Sequence, residues 1–378
     1  MRNLEKQKNS IRKISFFKAL FIFCASTLII SCSQNEQRKL EFKSRLIQVK
    51  AAKVNDSLYD IFAIGGREHI FSKVNKTKVG RTNSIDQRKY FYFKLDSTEL
   101  SVKTKNNEVD WEIGFKKGGV NEIFGISRYI FWKNNRSFGT NANTDFVGPL
   151  IFHQLDSPIE GNNKFTGGWH GSNGDGTGEA TAKTIDWKVY TKDLKPIDSD
   201  TVFRSSKNLF LEVNNIIKAN NSEDYMLAEN VLYEFHPFGV NVHIELTALG
   251  DLAIQRYHGI QSQNPWHLST IEYHYEDNST LKGGSREYNF SNDSINSNKV
   301  THFRFINDTL PFHLSVWIDK STKLYKGEQL APHRSWAFTA SYNKSYFNLV
   351  YGKALELSKG DKIEVRGGYY FVNNLIVN

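Results

Sequence analysis

The run GVNVHIELTAL, residues 239–249, sets Val240, Val242, Ile244 and Leu246 at every second position, with Asn241, His243, Glu245 and Thr247 between them. A two-residue period puts the first set on one face of a strand and the second set on the other. The alternation returns in YFYFKLDSTELSVKT, VDWEIGF, TIDWKVYT, THFRFIND, FHLSVWID and DKIEVRGG, so the chain is committed to sheets. In TIDWKVYT it buries Ile185, Trp187 and Val189. Composition agrees, because 27 Phe, 17 Tyr and 7 Trp favour a pleated, half-buried surface. The best helical candidate is SKNLFLEVNNIIKANNSEDYMLAEN, residues 206–230, whose β-branched residues leave its type open. No internal repeat stands out, which argues against a propeller or solenoid. The expected fold is all-β: a β-sandwich of the jelly-roll type over 119–378, preceded by a small N-terminal β region over 46–118.

The N-terminal segment addresses location rather than fold. MRNLEKQKNSIRKISFFK is basic, ALFIFCASTLII is apolar and uncharged, and SCSQ follows. This is the layout of a secretory signal, too short for a membrane span. Its end, LIISC, resembles a bacterial lipobox. The resemblance implies cleavage after Ser31, diacylation of Cys32, and anchoring to the cell envelope membrane without spanning it. On that reading residues 1–31 are the signal peptide and the polar 32–45 are a tether. Of the two cysteines, Cys24 is then removed and Cys32 is occupied. The body has no thiol for a disulfide, a thiolate metal site or a Cys nucleophile.

Removal of 1–31 also takes six Lys/Arg and one Glu, leaving 43 basic and 39 acidic residues, a net charge of +4. No Lys/Arg block follows, so a nucleic-acid partner is not expected. A mild positive field suits an acidic polysaccharide.

Four groups of residues carry the chemistry on offer. The loop FTGGWHGSNGDGTGEATAKT, residues 165–184, brackets Trp169 and His170 with glycines that permit tight turns and close backbone approach. It can present an aromatic ring and an imidazole at a cleft, or simply turn with Trp169 packed inward. Asn173, Asp175, Thr177 and Glu179 in the same loop form a weak calcium pattern that lacks the repeated acids and the length, so a surface turn is the better reading and no cofactor is expected. Upstream, Arg136 and Gln154 are donors of the kind that hold a carboxylate. On the strand at 239–249, Asn241, His243, Glu245 and Thr247 line either a groove or a solvated outer face. His243 and Glu245 lack a third ligand at metal spacing, so no metal site is expected. Finally, AIQRYHGIQSQNPWHLSTIEYHYED concentrates Arg256, Tyr257, His258, His267, Tyr273 and His274.

His, Tyr and Arg together are the parts needed for β-elimination from a uronic acid. One donor neutralises the carboxylate and acidifies the C5 proton, a base removes it, and an acid protonates the leaving glycosidic oxygen. The expected assignment is His170, His243 and Tyr257 for proton transfer, with Arg136, Gln154, Trp169 and Arg256 binding substrate. Arg256 and Tyr257 point to opposite faces of a regular strand, so both serve only if the strand is bulged. A non-catalytic glycan-binding lipoprotein is the rival reading. A glycoside hydrolase is the third, and needs two carboxylates facing each other across a groove.

RSFGTNANTDFVGP and the 165–184 loop resemble β-rich modules of cell-surface and phage-tail proteins that meet polysaccharide. The Asn, Lys and Ile content with the lipobox is similar to secreted proteins of marine Bacteroidota. That resemblance implies a lipoprotein lyase of a marine polysaccharide-utilisation system, with ulvan as one substrate. The strand motifs of jelly-roll alginate lyases are not matched by SREYNF or IFHQ, so no residue role follows from it.

Overall fold

The computed structural model describes residues 90–373 except 105–109, 134–135, 142–144, 158–163, 192–195, 198–200, 207–208, 237–238, 276–278, 285–299, 311, 320, 325–326, 328, 331–334 and 341–342. All described residues belong to the unit Ile64–Asn378. The expectations for Cys32, the signal peptide, the tether and the start of the N-terminal β region lie outside the described residues.

The described chain is all-β. In order its strands are β1 (Tyr90–Leu95), β2 (Glu99–Thr104), β3 (Asp110–Gly118), β4 (Ile123–Lys133), β5 (Arg136–Asn141), β6 (Leu150–Gln154), β7 (Ala182–Thr191), β8 (Thr201–Ser206), β9 (Leu209–Lys218), β10 (Tyr225–His236) and β11 (Gly239–Ala248). There follow β12 (Leu252–Tyr257), β13 (Gln261–Gln263), β14 (Thr270–Tyr275), β15 (Thr280–Gly284), β16 (Val300–Ile306), β17 (Phe312–Ile318), β18 (Gln329–Leu330), β19 (Ala337–Ala340), β20 (Lys344–Phe347), β21 (Val350–Leu357) and β22 (Lys362–Asn373).

Nine strands form the main sheet in the order β15-β14-β16-β17-β22-β11-β10-β9-β7. A six-stranded sheet, β5-β4-β3-β2-β1-β8, packs across its inner face. Phe115 meets Tyr233 at 5.0 Å and Phe235 at 5.7 Å between ring centres, and Phe131 stacks on Phe312 at 4.4 Å. These edge-on and offset contacts are the favoured aromatic geometries, and they make the layered core of a β-sandwich. A four-stranded sheet, β18-β21-β12-β6, and a three-stranded sheet, β13-β20-β19, complete the structure and share the same apolar cluster through Ile254, Tyr257 and Phe347.

Three sequence expectations change here. The division at residue 118 falls inside the β3–β4 pairing, where Gly118 faces Ile123, so one sheet runs through it. The helical candidate at 206–230 instead supplies β9 and the first part of β10, with Val213 and Ile217 buried in the core. Ile185 is not buried but 55 % exposed. The β7–β9 register shifts between Thr184 and Asp186, and the bulge turns Ile185 outward. β7 is an edge strand, and this bulge with Lys183 and Lys188 blunts the edge against further pairing.

Candidate functional site

The four-stranded sheet builds the site. Arg256 on β12 lies directly across from Tyr351 on β21 and from Ile151 on β6. Leu150 and Thr166 exchange backbone hydrogen bonds of 3.0 and 2.8 Å, which adds the start of the glycine-rich loop beside β6. Phe165 therefore arrives next to Arg256. The guanidinium sits 4.1 Å from the Tyr351 ring centre and 5.5 Å from that of Phe165. It donates through Nη2 to the Tyr351 hydroxyl oxygen at 2.6 Å. Arg128, Arg304 and Arg366 each pair with a glutamate. Half-buried Arg256 has no carboxylate within ion-pair distance among the described residues.

Two histidines also meet Phe165: His170 at 5.3 Å and His258 at 5.8 Å between ring centres. His258 is buried against Tyr346 at 4.2 Å. Burial first, then the Arg256 charge, push its pKa down to about 3, so it stays neutral. His170 is the opposite case. Its Nδ1 lies 2.9 Å from the Gly174 carbonyl and its Nε2 3.2 Å from Oδ2 of Asp145. Burial favours the neutral ring, but Asp145 and the Gly174 carbonyl together outweigh it and raise the pKa. The Gly174 carbonyl at Nδ1 and the Asp145 carboxylate beside Nε2 hold the imidazole between the loop and Asp145.

Asp145, 1 % exposed at its side chain, organises this corner. Its Oδ1 accepts the Trp169 backbone N–H at 2.6 Å, and its Oδ2 lies 3.8 Å from Nζ of Lys344. Gly168 has φ +52°, and a Cβ there would run into the Asp145 carboxylate, which explains a glycine at this point. Asn121 clamps the loop from the β3–β4 turn. Its amide donates to the carbonyls of Gly168 and His170 at 2.9 and 2.7 Å, and its oxygen accepts from the backbone of Thr181 and Ala182.

The remaining expected site residues are dispersed. Tyr257 is fully buried with its hydroxyl unpartnered, and burial raises its pKa well above the usual value. β12 does bulge, but between Ile254 and Arg256, so Arg256 and Tyr257 still face opposite ways. Tyr257 therefore drops out as a proton-transfer group. His243 is 2 % exposed on the outward face of the nine-stranded sheet, 3.2 Å from Glu364, which also takes a 2.6 Å bond from Arg366. That ion cluster belongs to a different face from Arg256. Arg136 is exposed on β5, the edge of the six-stranded sheet. Gln154 pairs with Leu252, at the far end of β12 from Arg256. Trp169 packs over Gly118 and Gly119 rather than facing Phe165. Asp175 turns back on Thr177, accepting from its backbone N–H and hydroxyl at 2.8 and 2.7 Å.

Behind Asp145 lies a narrow cavity of ≈ 40 Å³ between the sheets, lined by Ser127, Asp145, Trp169, Asn215, Glu229 and Tyr233 among others. It has room for a few waters and none for a sugar ring. Burial, offset by the 2.8 Å bond from Asn215 and reinforced by the Asp145 charge, pushes Glu229 up to about 7. A carboxyl with a raised folded-state pKa is neutral in both states at low pH. As pH rises above 4.5 the unfolded state ionises first, and stability falls until the folded state follows near 7. That shift corresponds to about 3 kcal/mol. Glu229→Gln is expected to gain on wild type in thermal midpoint between pH 4.5 and 7 and to hold the gain above it. Parallel pH profiles for the two proteins would rule the effect out.

No protein-family model matches this chain, and no curated protein matches it in sequence. Among solved structures it is similar to an alpha-galactosidase from Lactobacillus brevis, at 10% identity and a TM-score of 0.37 over 74% of this chain and 40% of that one. It is also similar to a galactose 1-epimerase from Lactobacillus acidophilus, at 9% identity and a TM-score of 0.34 over 76% of this chain and 99% of that one. A galactose mutarotase-like protein from Clostridium acetobutylicum gives 8% identity and a TM-score of 0.34 over the same shares. The chain spans about two fifths of the galactosidase's length.

Proposed function

We propose that this protein is a lipid-anchored envelope lyase that cleaves a uronate-bearing polysaccharide at the Arg256–Tyr351–Phe165 cluster. One observation carries the reading: Arg256 is held between two aromatic rings, is bonded to a tyrosine hydroxyl, and lacks a carboxylate partner among the described residues. A guanidinium so placed is pre-organised for a planar acid brought by a ligand. Phe165 and Tyr351 offer apolar surface beside it for a sugar ring.

Elimination needs the C5 proton removed, a C4–C5 double bond formed, the C4–O bond broken and the leaving oxygen protonated. Arg256 on the carboxylate stabilises the charge that builds as the C5 proton departs. Reacting as its phenolate beside the Arg256 charge, Tyr351, whose oxygen lies 2.6 Å from Nη2 of Arg256, is the group to take that proton, becoming the phenol, and to return it to the leaving oxygen, which restores the phenolate. His170, with Nδ1 at the Gly174 carbonyl and Nε2 beside the Asp145 carboxylate, serves to hold the loop. That commitment is also what favours a second reading, a glycan-binding lipoprotein without turnover.

Incubating the mature protein with a panel of uronate polymers and following the ultraviolet band of a 4,5-unsaturated uronate separates the two. The lyase gives a rising band on at least one uronate polymer and none on neutral glycans. Retention on a glycan column with no band on any polymer would leave only the binder.

A further inference from the structure

Trp266 is 60 % exposed and yet held still. An apolar side chain standing alone on a surface needs no explanation, but a fixed one does, because ordering it costs entropy that its own burial does not repay. The indole Nε1–H donates to the Gly139 carbonyl of β5 at 3.2 Å. The ring meets His267 edge-on, at 5.5 Å and 86°. His267 is buried among Phe131, Phe138 and Phe312 at 6.2, 5.9 and 5.8 Å between ring centres, so the support behind Trp266 is the junction of the two main sheets. The backbone is fixed as well. Pro265 restricts the turn, the Leu268 N–H donates back to the Pro265 carbonyl at 3.1 Å, and the Asn264 N–H donates to the Asn343 carbonyl at 2.9 Å. Satisfying one carbonyl on the open edge of β5 needs only a donor; an exposed indole adds a large aromatic face that the fold leaves to solvent.

The surroundings of the ring select its occupant. Asn307 donates to the His267 carbonyl at 3.0 Å, which ties the turn carrying exposed Asp308 and Thr309 to the Trp266–His267 step. Ser137, two residues from Gly139 on β5, is exposed too. Trp266 is therefore an apolar island with a polar rim. A protein interface of standard size takes roughly 800 Å² from each partner around an apolar centre, far more than one indole face. A pyranose ring matches it in size, with a C–H face for the electron-rich indole and hydroxyls for the rim. Exposed Arg136 lies on the same edge strand, roughly 10 Å from Gly139 by strand rise, and its charge suits an acidic chain.

We infer that Trp266 is a second glycan-binding site, a stacking platform at the open edge of β5 that takes one pyranose ring of an acidic polysaccharide. It belongs to the edge of the six-stranded sheet, whereas Arg256 belongs to the four-stranded sheet. The inference rests on the acidic-glycan part of the reading above and not on elimination at Arg256. A second hold on a long polymer raises its residence on the protein with no new contact at the reacting site.

Native electrophoresis of the full chain through gels cast with polygalacturonate, alginate or chondroitin sulfate tests it. The comparisons are made in an Arg256→Ala background, which removes the first site and keeps the polymer intact. At least one polymer is expected to retard that protein, and adding Trp266→Ala should weaken the apparent affinity about tenfold. Trp266→Phe, which keeps an aromatic face, should stay within about threefold of the parent. Neither change alters net charge, so retention by charge alone cancels between the variants, and equal migration in a polymer-free gel checks their folding. The inference is overturned if no polymer retards the Arg256→Ala protein, if Trp266→Ala leaves retardation unchanged, or if Trp266→Phe loses as much as Trp266→Ala. Retardation that depends on Trp266, with no unsaturated product from wild type, would sink the lyase and leave this site standing. Unsaturated product with retardation indifferent to Trp266 would do the reverse.

Discussion

Replacing Tyr351 by Phe is expected to lower turnover on a uronate polymer by about 10²–10⁴-fold, the usual range for a lost proton-transfer group. The ring stays, so Arg256 keeps its aromatic neighbour at 4.1 Å and loses only the hydroxyl it bonds at 2.6 Å. Ligand affinity should therefore change a few-fold at most, and the loss should fall on kcat rather than KM. Tyr257→Phe is the control. Its hydroxyl is buried without a partner, so deleting it leaves turnover intact and costs the fold little. Full turnover in Tyr351→Phe would remove Tyr351 from the chemistry, and a collapse in Tyr257→Phe would mean the two tyrosines have been assigned the wrong way round.

The second large effect is on stability. Phe131 is 1 % exposed and joins the two main sheets. From β4 it stacks on Phe312 of β17 at 4.4 Å and meets Phe371 of β22 edge-on at 5.5 Å. Phe131→Ala removes the ring from a junction whose partners are fixed in strands and cannot close the gap. A loss of about 3–5 kcal/mol is expected. It would be read from the shift of the denaturant midpoint at constant slope. A loss below about 1 kcal/mol would show that the sheets can slide together and that the junction is not rigid.

The sheet faces were legible in the sequence wherever the two-residue period ran unbroken. Val240, Val242, Ile244 and Leu246 all lie in the core, as alternation requires. Bulges broke the inference. Ile185 escaped burial because one extra residue enters β7. At β12 a bulge was the stated condition for Arg256 and Tyr257 to work together, yet its position before Arg256 left them opposed. Bulge placement depends on the partner strand, which a single strand's sequence does not encode.

The site was half legible for a related reason. His170 and Arg256 were marked by residue type, and the fold does bring both to Phe165. What they do there follows from neighbours that no local pattern flags. Tyr351 reaches Arg256 by cross-strand register over 95 positions, and Asp145 lies against His170 from 25 positions away. Glu229 fell inside the helical candidate at 206–230, and its chemistry comes from the depth of the cavity.

The place of β22 in the main sheet bears on how the protein is made. It lies between β11 and β17, so strands formed from residues 182–248 and from 270–318 have no common edge until residues 362–373 join them. A half that forms before β22 carries an unpaired edge at β11 or β17. Long-range closure of this kind is slow, and a chain held in that state is exposed to wrong pairing. A nascent chain stalled before residue 362 would present two sticky half-sheets to its surroundings, and its safe passage depends on being shielded until the closing strand arrives.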